Sequence, residues 1–277
     1  MSAPRPLHPS VHWVSAGQGD ALLLVNGWSA SSLAWPASWL RMLERDFTVI
    51  RMDNRGSGWS RQAPSPFTVG DLANDAHAVL GAAGFHRATV LGLSMGGMVA
   101  QELAMRHPAA VSRLILAATR PPAPAATLGN PALLAGAMRR PRTGQDLHDY
   151  FRALWSDFTA PDFAATHPDL MTELVDQIVR RPTPRHAVLA QVRAMSAWHG
   201  ARRLSTITAP TTVIHGALDP LIPVANGRRL ARLIPEAAYV EVPDVGHLLA
   251  HEAPDMLTQE LSGRASTSAR RATPSGA

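Results

Sequence analysis

Short apolar runs rich in β-branched residues recur along the chain at 21–27 (ALLLVNG), 47–53 (FTVIRMD), 88–93 (ATVLGL), 111–118 (VSRLILAA), 211–216 (TTVIHG) and 237–244 (AAYVEVPD). Between them lie stretches with helical periodicity at 35–45, 71–83, 96–106, 224–234 and 250–262. Strand runs alternating with helical patterns predict an α/β fold with a mostly parallel sheet and helices on both faces. The rhythm breaks after Thr119, where RPPAPAATLGNP opens a proline-rich loop. From about 131 to 203 the pattern is helical alone, with amphipathic segments LHDYFRALW, LMTELVDQIVRR and RHAVLAQVRAMSAW, before strand character returns. The chain therefore divides into a core over 1–119 and 204–262, a helical cap over 120–203, and a small, polar, basic tail over 263–277 expected to be disordered. No internal repeat is visible.

Composition sharpens that picture at two points. With 277 residues, 46% of them hydrophobic, the chain can bury a sizeable core, which suits one α/β domain carrying an insertion. Its formal net charge is +5, and arginine supplies all of the positive charge, since there is no lysine. The arginines are scattered in short pairs, such as Arg139-Arg140 and Arg202-Arg203, without interleaved aromatics, so they read as solvated faces and not as a nucleic-acid surface. No cysteine is present, which removes disulfides, thiolate metal sites and a cysteine nucleophile together. The first residues, MSAPRPLHPS, have no apolar stretch of signal-peptide length, and nowhere do eighteen uncharged apolar residues run together. The expectation is a soluble cytoplasmic protein with neither membrane nor nucleic acid as partner.

The chemistry concentrates at VLGLSMGGMVA, residues 90–100. Gly92-Leu93-Ser94-Met95-Gly96 fits G-x-S-x-G, in which a strand turns so sharply into a helix that the central side chain stands clear of the sheet. Glycines on both flanks remove the Cβ atoms that would collide in such a turn. A strand run precedes the motif and a helical run, GGMVAQELAMRHP, follows it, as the motif requires. Its glycine spacing fits neither a dinucleotide fingerprint nor a phosphate loop with its lysine.

A serine hydroxyl becomes a useful nucleophile when a base takes its proton and an acid orients that base. VIHGALDPLIP places Asp219 just past a strand end, in a loop made by Gly216 and Pro220. VEVPDVGHLLAHEAP places His247 after the last strand run, with Gly246 beside it. Asp244 competes with Asp219 for the role of the acid; its nearness to the histidine in sequence favours a part in shaping the loop. His247 and His251, four apart and followed by Glu252, raise the thought of a metal site, but their order is not H-E-x-x-H and no third ligand is evident. Trp155, Met195 and Trp198 lie on cap helices and are left without a role.

Taken together, the elbow, MDNRGSGWS (52–60), HGALDPLIP and VGHLLAHEAP resemble the α/β-hydrolase superfamily in order and separation, over nearly all of the chain outside the cap and tail. Asp53, Arg55, Gly56 and Gly58 match that family's D-x-R-G-x-G turn, which borders the active site. The resemblance implies a Ser94-His247-Asp219 triad. It also implies an oxyanion hole made by the backbone N–H groups of Trp28 and Met95. Asn26-Gly27 stands where many relatives have His-Gly, which puts the bracing of the NGWSASS loop in question. The implied activity is hydrolysis of a small-molecule ester or lactone through an acyl-enzyme, with no metal or organic cofactor. Within the family the sequence is similar to polyketide methyl esterases, enol-lactonases and cofactor-free haloperoxidases. A serine at the elbow argues against the epoxide hydrolase and haloalkane dehalogenase branches, which place aspartate there. Two other readings use the same scaffold: a ligand-sensing protein that turns over slowly or not at all, and a C–C hydrolase or lyase.

Overall fold

A computed structural model of the chain describes residues 11–263 and 270–271. Eight strands form one sheet: β1 (Trp13–Gly17), β2 (Asp20–Val25), β3 (Phe47–Met52), β4 (Ala88–Leu93), β5 (Val111–Ala117), β6 (Thr211–Gly216), β7 (Ala238–Val242) and β8 (Arg270–Arg271). Their spatial order is β1-β3-β2-β4-β5-β6-β7-β8, parallel from β3 to β7 and antiparallel at both edges. The six apolar runs correspond to β2 through β7. β1 escapes the hydrophobic pattern because WVSAG is a half-exposed edge strand with serine and glycine in it. The tail expected over 263–277 lies outside the described residues except for Gly263 and for Arg270–Arg271, whose backbone pairs with Val240 and Glu241.

The helices are α1 (Ala37–Leu43), α2 (Val69–Ala82), α3 (Met95–Arg106), α4 (Pro131–Ala137), α5 (Leu147–Ser156), α6 (Phe163–Thr166), α7 (Pro168–Arg180), α8 (Arg185–Ser196), α9 (Ala225–Leu233), α10 (Leu249–Glu252) and α11 (Pro254–Leu261). The single helix expected over 250–262 is interrupted at Ala253 because Pro254 has no N–H to continue α10 and instead starts α11.

Alternate residues of the buried strands point to opposite sides of the sheet and build two cores. Leu23, Val25, Ile50, Met52, Val90, Leu114 and Val213 pack with α2 and α3, while Leu22, Leu24, Val49, Leu91, Ile115 and Ile214 pack with α1 and α11. A third apolar cluster joins Trp155, Phe158, Met171, Leu174 and Ile178 of the α4–α8 segment to Ala30, Leu221 and Leu248 of the core loops. The far end of that segment also merges with the core. Ala190, Ala194 and Trp198 belong to the α2/α3 core, and Trp198 Nε1 donates to buried Glu102 on α3 at 3.0 Å.

This topology fixes where a site can form. The chain runs from β2 outward to β3 and then returns to place β4 on β2's other side, so the loops leaving β2 and β4 diverge and open a crevice at their carboxyl ends. Gly27 and Ser94 stand there.

Candidate active site

β4 stops at Leu93 and α3 starts at Met95, so Ser94 makes the turn alone with φ 58° and ψ −119°. Any residue with a Cβ is strained at that φ, and the surroundings hold it there. Its amide donates to Ala117 O at 2.9 Å and its carbonyl accepts from Thr119 Oγ1 at 2.7 Å, which ties the turn to the end of β5. A Cβ on Gly92 would collide with the Gly96 carbonyl, and one on Gly96 with the Val25 carbonyl. Both flanking glycines are therefore dictated by the turn. Ser94 occupies the N-cap position of α3, yet its hydroxyl makes no capping bond and remains free for chemistry.

Asp219 and His247 are brought together from loops 28 residues apart. Asp219 Oδ2 accepts from His247 Nδ1 at 2.8 Å, while Oδ1 accepts from the amides of Leu221 at 2.9 Å and Ile222 at 2.8 Å. Because the carboxylate only accepts, Nδ1 carries the proton and Nε2 is left with its lone pair. Burial pushes the Asp219 carboxyl up, but the attraction of the adjacent His247 ring and the hydrogen bonds from His215 and His247 outweigh it and hold the group well below the usual carboxylate range. His215 is fully buried on β6, with Nε2 2.9 Å from Ile222 O and 3.2 Å from Asp219 Oδ2. Asp244, by contrast, is exposed in a φ 56° turn before His247.

Ser94 and His247 line a common cavity of about 30 Å³ with Gly27, Trp28, Trp155 and Phe158. No direct hydrogen bond links Ser94 Oγ to His247 among the described residues. His247 is held from the other side, its amide donating to Phe158 O at 2.9 Å. Glu252 completes that brace: Oε2 accepts from Ala160 at 2.8 Å and Gly246 at 2.7 Å, and Oε1 from Leu248 at 2.8 Å. The histidine loop is thereby pinned to the α5–α6 connection.

The loop after β2 is braced by Asn26 itself. Its Nδ2 donates to Ser31 O at 3.0 Å, its Oδ1 accepts from Gly27 N at 2.7 Å, and its carbonyl accepts from Asn54 Nδ2 at 2.9 Å. Gly27 approaches Ser94 so closely that a Cβ on it would sit 3.1 Å from Ser94 Cβ. Asp53 locks the neighbouring turn by accepting from the amides of Ser32 at 2.7 Å and Trp59 at 2.8 Å, and Arg55 pairs bidentately with Asp75. Gln191 on α8 spans both loops, accepting from Ser29 N at 2.9 Å and donating to Arg55 O at 3.0 Å. Trp28 Nε1 donates to Val188 O of α8 at 3.2 Å. Trp28 also lines two larger cavities. One of about 240 Å³ contains Ser94, Met98 and Met195; the other, about 260 Å³, runs beneath α5. Of the aromatic and methionine positions noted in the sequence, Trp155 and Met195 thus face the site and Trp198 does not.

The α/β hydrolase fold family matches residues 20–254. The chain is an α/β hydrolase. It is 30% identical over 247 residues to a Variovorax paradoxus protein bearing the name carbamate hydrolase RutD, covering 87% of this chain and 89% of that one. It is 29% identical over 258 residues to the pimeloyl-[acyl-carrier protein] methyl ester esterase of Vibrio atlanticus, covering 91% and 96%. Among solved structures, the enol-lactonase of Burkholderia xenovorans LB400 superposes with a TM-score of 0.77 at 26% identity, over 92% of this chain and 95% of that one. Cleavage of ester-like carbonyl bonds is the chemistry that these hydrolases' names share.

His251 of this α/β hydrolase is not among the residues lining the cavities that contain Ser94. It is buried, its Nδ1 has no hydrogen-bond partner, and burial pulls its pKa down from 6.5 to about 4. Among the described residues no three His, Cys, Asp or Glu side chains cluster in a way that could hold a metal ion. Because the folded protein binds the His251 proton more weakly than the unfolded chain does, stability falls as pH drops below 6.5 towards 4. Between pH 7 and pH 5 the expected loss from this group is about 2 kcal/mol. Urea midpoints at the two pH values should therefore converge in His251→Leu. Equal pH dependence in variant and parent would refute the assignment.

Proposed function

We propose that Ser94, His247 and Asp219 form a catalytic triad that hydrolyses a carboxylic ester or lactone of a small molecule. The observation that carries this reading is the 2.8 Å bond from His247 Nδ1 to Asp219, which leaves Nε2 basic at a cavity shared with a strained serine. Ser94 Oγ gives its proton to His247 Nε2 as it attacks the carbonyl carbon. The backbone N–H groups of Trp28 and Met95 stabilise the oxyanion, Met95 being the first residue of α3, where helix amides lack internal partners. Collapse expels the alcohol, which takes the proton from the imidazolium. Water then attacks the acyl-enzyme by the same route and frees Ser94. The Ser94–His247 hydrogen bond forms as substrate fills the cavity, since catalytic hydrogen bonds often tighten only in the complex.

In this reading no metal or organic cofactor takes part, residues 120–203 act as a cap that selects substrates, and the enzyme works in the cytoplasm. No helix among the described residues is long and apolar enough to cross a membrane. The cavity of about 240 Å³ beside Ser94 is below the roughly 300–1,000 Å³ usual for drug-sized ligands, which favours a compact acyl group. A series of p-nitrophenyl esters of increasing chain length tests this. Turnover should be highest for short acyl chains and fall once the chain outgrows the cavity. Absence of turnover across the series would overturn the hydrolase reading in favour of a ligand binder, and cleavage of vinylogous diketones alone would favour C–C hydrolysis.

A further inference from the structure

Arg120 follows the end of β5 by three residues and forms part of the wall of the cavity of about 240 Å³ that contains Ser94. Among the described residues the rest of that wall is uncharged and mostly apolar, with Trp28, Met98, Leu134, Met195, Leu221 and Ile222 among its members. The guanidinium donates from Nη1 to Pro121 O at 3.1 Å and from Nη2 to Met195 O at 2.9 Å. No carboxylate among the described residues lies within 4.0 Å of it. Arg55 and Arg228 hold carboxylates bidentately and Arg106 and Arg203 share Glu102, whereas Arg51, Arg61, Arg181 and Arg229, like Arg120, donate to backbone carbonyls. What sets Arg120 apart is that it alone of these lines the cavity containing Ser94.

A guanidinium has five N–H donors, and two carbonyl bonds leave donors unspent. Burial pulls the Arg120 pKa down, as expected for a desolvated cation, yet arginine keeps its charge. Arg120 is half-buried and none of its nitrogens is both buried and without a partner, so its unspent donors are open to a group that enters the cavity. There an anion meets a partly desolvated cation and is attracted more strongly than in bulk water. Planar carboxylates match the guanidinium fork best. We infer that Arg120 recognises a carboxylate carried by the substrate, so that the ester or lactone cleaved at Ser94 is an anionic one whose charged arm enters this cavity.

A structural role competes with that inference. Met195 O lies at the carboxyl end of α8, where a cation favourably caps unpaired carbonyls, so Arg120 could serve purely to fasten α8. The two roles differ in what they predict for charge selectivity. A fastening residue affects charged and neutral esters alike, whereas a carboxylate receptor affects their ratio.

The inference rests on the hydrolase reading, and the experiment separates the two. Hydrolysis of monomethyl adipate is compared with that of the near-isosteric neutral methyl 6-oxoheptanoate, by proton release. A second pair places the carboxylate or its neutral ketone counterpart on the alcohol arm of an acetate ester. In the parent enzyme, kcat/KM for the anionic member of at least one pair should exceed that for its neutral partner by roughly 30-fold. In Arg120→Met that ratio should fall to about one, and in Arg120→Lys, which keeps a point charge but not the fork, it should be partly retained. A parent ratio at or below one in both pairs overturns the inference without needing any variant, while Ser94-dependent turnover of the neutral esters would leave the hydrolase reading standing. A parent ratio that survives in Arg120→Met also overturns it and leaves the fastening role. Turnover of none of the four esters by the parent overturns both readings.

Discussion

Ser94→Ala should lower kcat by a factor on the order of a million if Ser94, His247 and Asp219 act as a unit. The substitution removes one oxygen and keeps the Cβ, so the φ 58° turn is no more strained than before. The turn's own bonds, Ser94 N to Ala117 O and Thr119 Oγ1 to Ser94 O, use backbone atoms that alanine retains. Folding should therefore be unaffected, and a thermal melt close to that of the parent is the control. What remains after the substitution is the contribution of the backbone donors and of substrate positioning, which need no hydroxyl. The measurement is single-turnover hydrolysis of an activated short-chain ester, paired with labelling by an organophosphonate. Parent protein should take up one label and the variant none. Near-normal turnover by a folded Ser94→Ala protein would remove the serine from the mechanism altogether.

Why the serine could be read from the sequence while much of its support could not is a matter of range. The elbow has a local signature: strand, two flanking glycines and helix fall within a short stretch, and Gly92 is required by the carbonyl of Gly96 within that stretch, although Gly96 itself is required by the Val25 carbonyl at the end of β2. The parallel strands are legible for a similar reason, since burial on both faces forces continuous apolar runs such as Leu22 to Val25. Long-range polar braces leave no such trace. Glu252 gathers three amides from Ala160, Gly246 and Leu248, and Gln191 joins Ser29 to Arg55, but each is an ordinary polar residue in its own stretch of sequence. His215 is, in sequence, a histidine at a strand end with nothing to mark it, and its place beside Asp219 emerges once the loop folds back through Ile222. The edge strand β1 and the break at Pro254 show the same limit: hydrophobic pattern weakens where exposure is high, and helix continuity fails for the reason of one missing N–H.

Asp219→Asn should reduce kcat by roughly ten-thousand-fold, and Asp244→Asn by far less. At Asp219 the two carboxylate oxygens serve different ends. Oδ1 holds the loop through Leu221 and Ile222, and Oδ2 receives the proton-bearing Nδ1 of His247. An asparagine can keep one of these with its carbonyl oxygen, but its amide nitrogen then faces the other. If the loop bonds are kept, the NH2 group points at Nδ1 and selects the tautomer with the proton on Nε2, which cannot accept from Ser94. The negative charge that stabilises the imidazolium is lost as well. Asp244 does neither of these things, being exposed in a positive-φ turn and forming no bond to the imidazole. At that φ asparagine is as well tolerated as aspartate, so the loop should survive the change. Burst-free kcat values for the two folded variants on one activated ester decide the matter. Should Asp244→Asn be the more damaging of the two, the acid has been misassigned, while the roles given to Ser94 and His247 would be untouched.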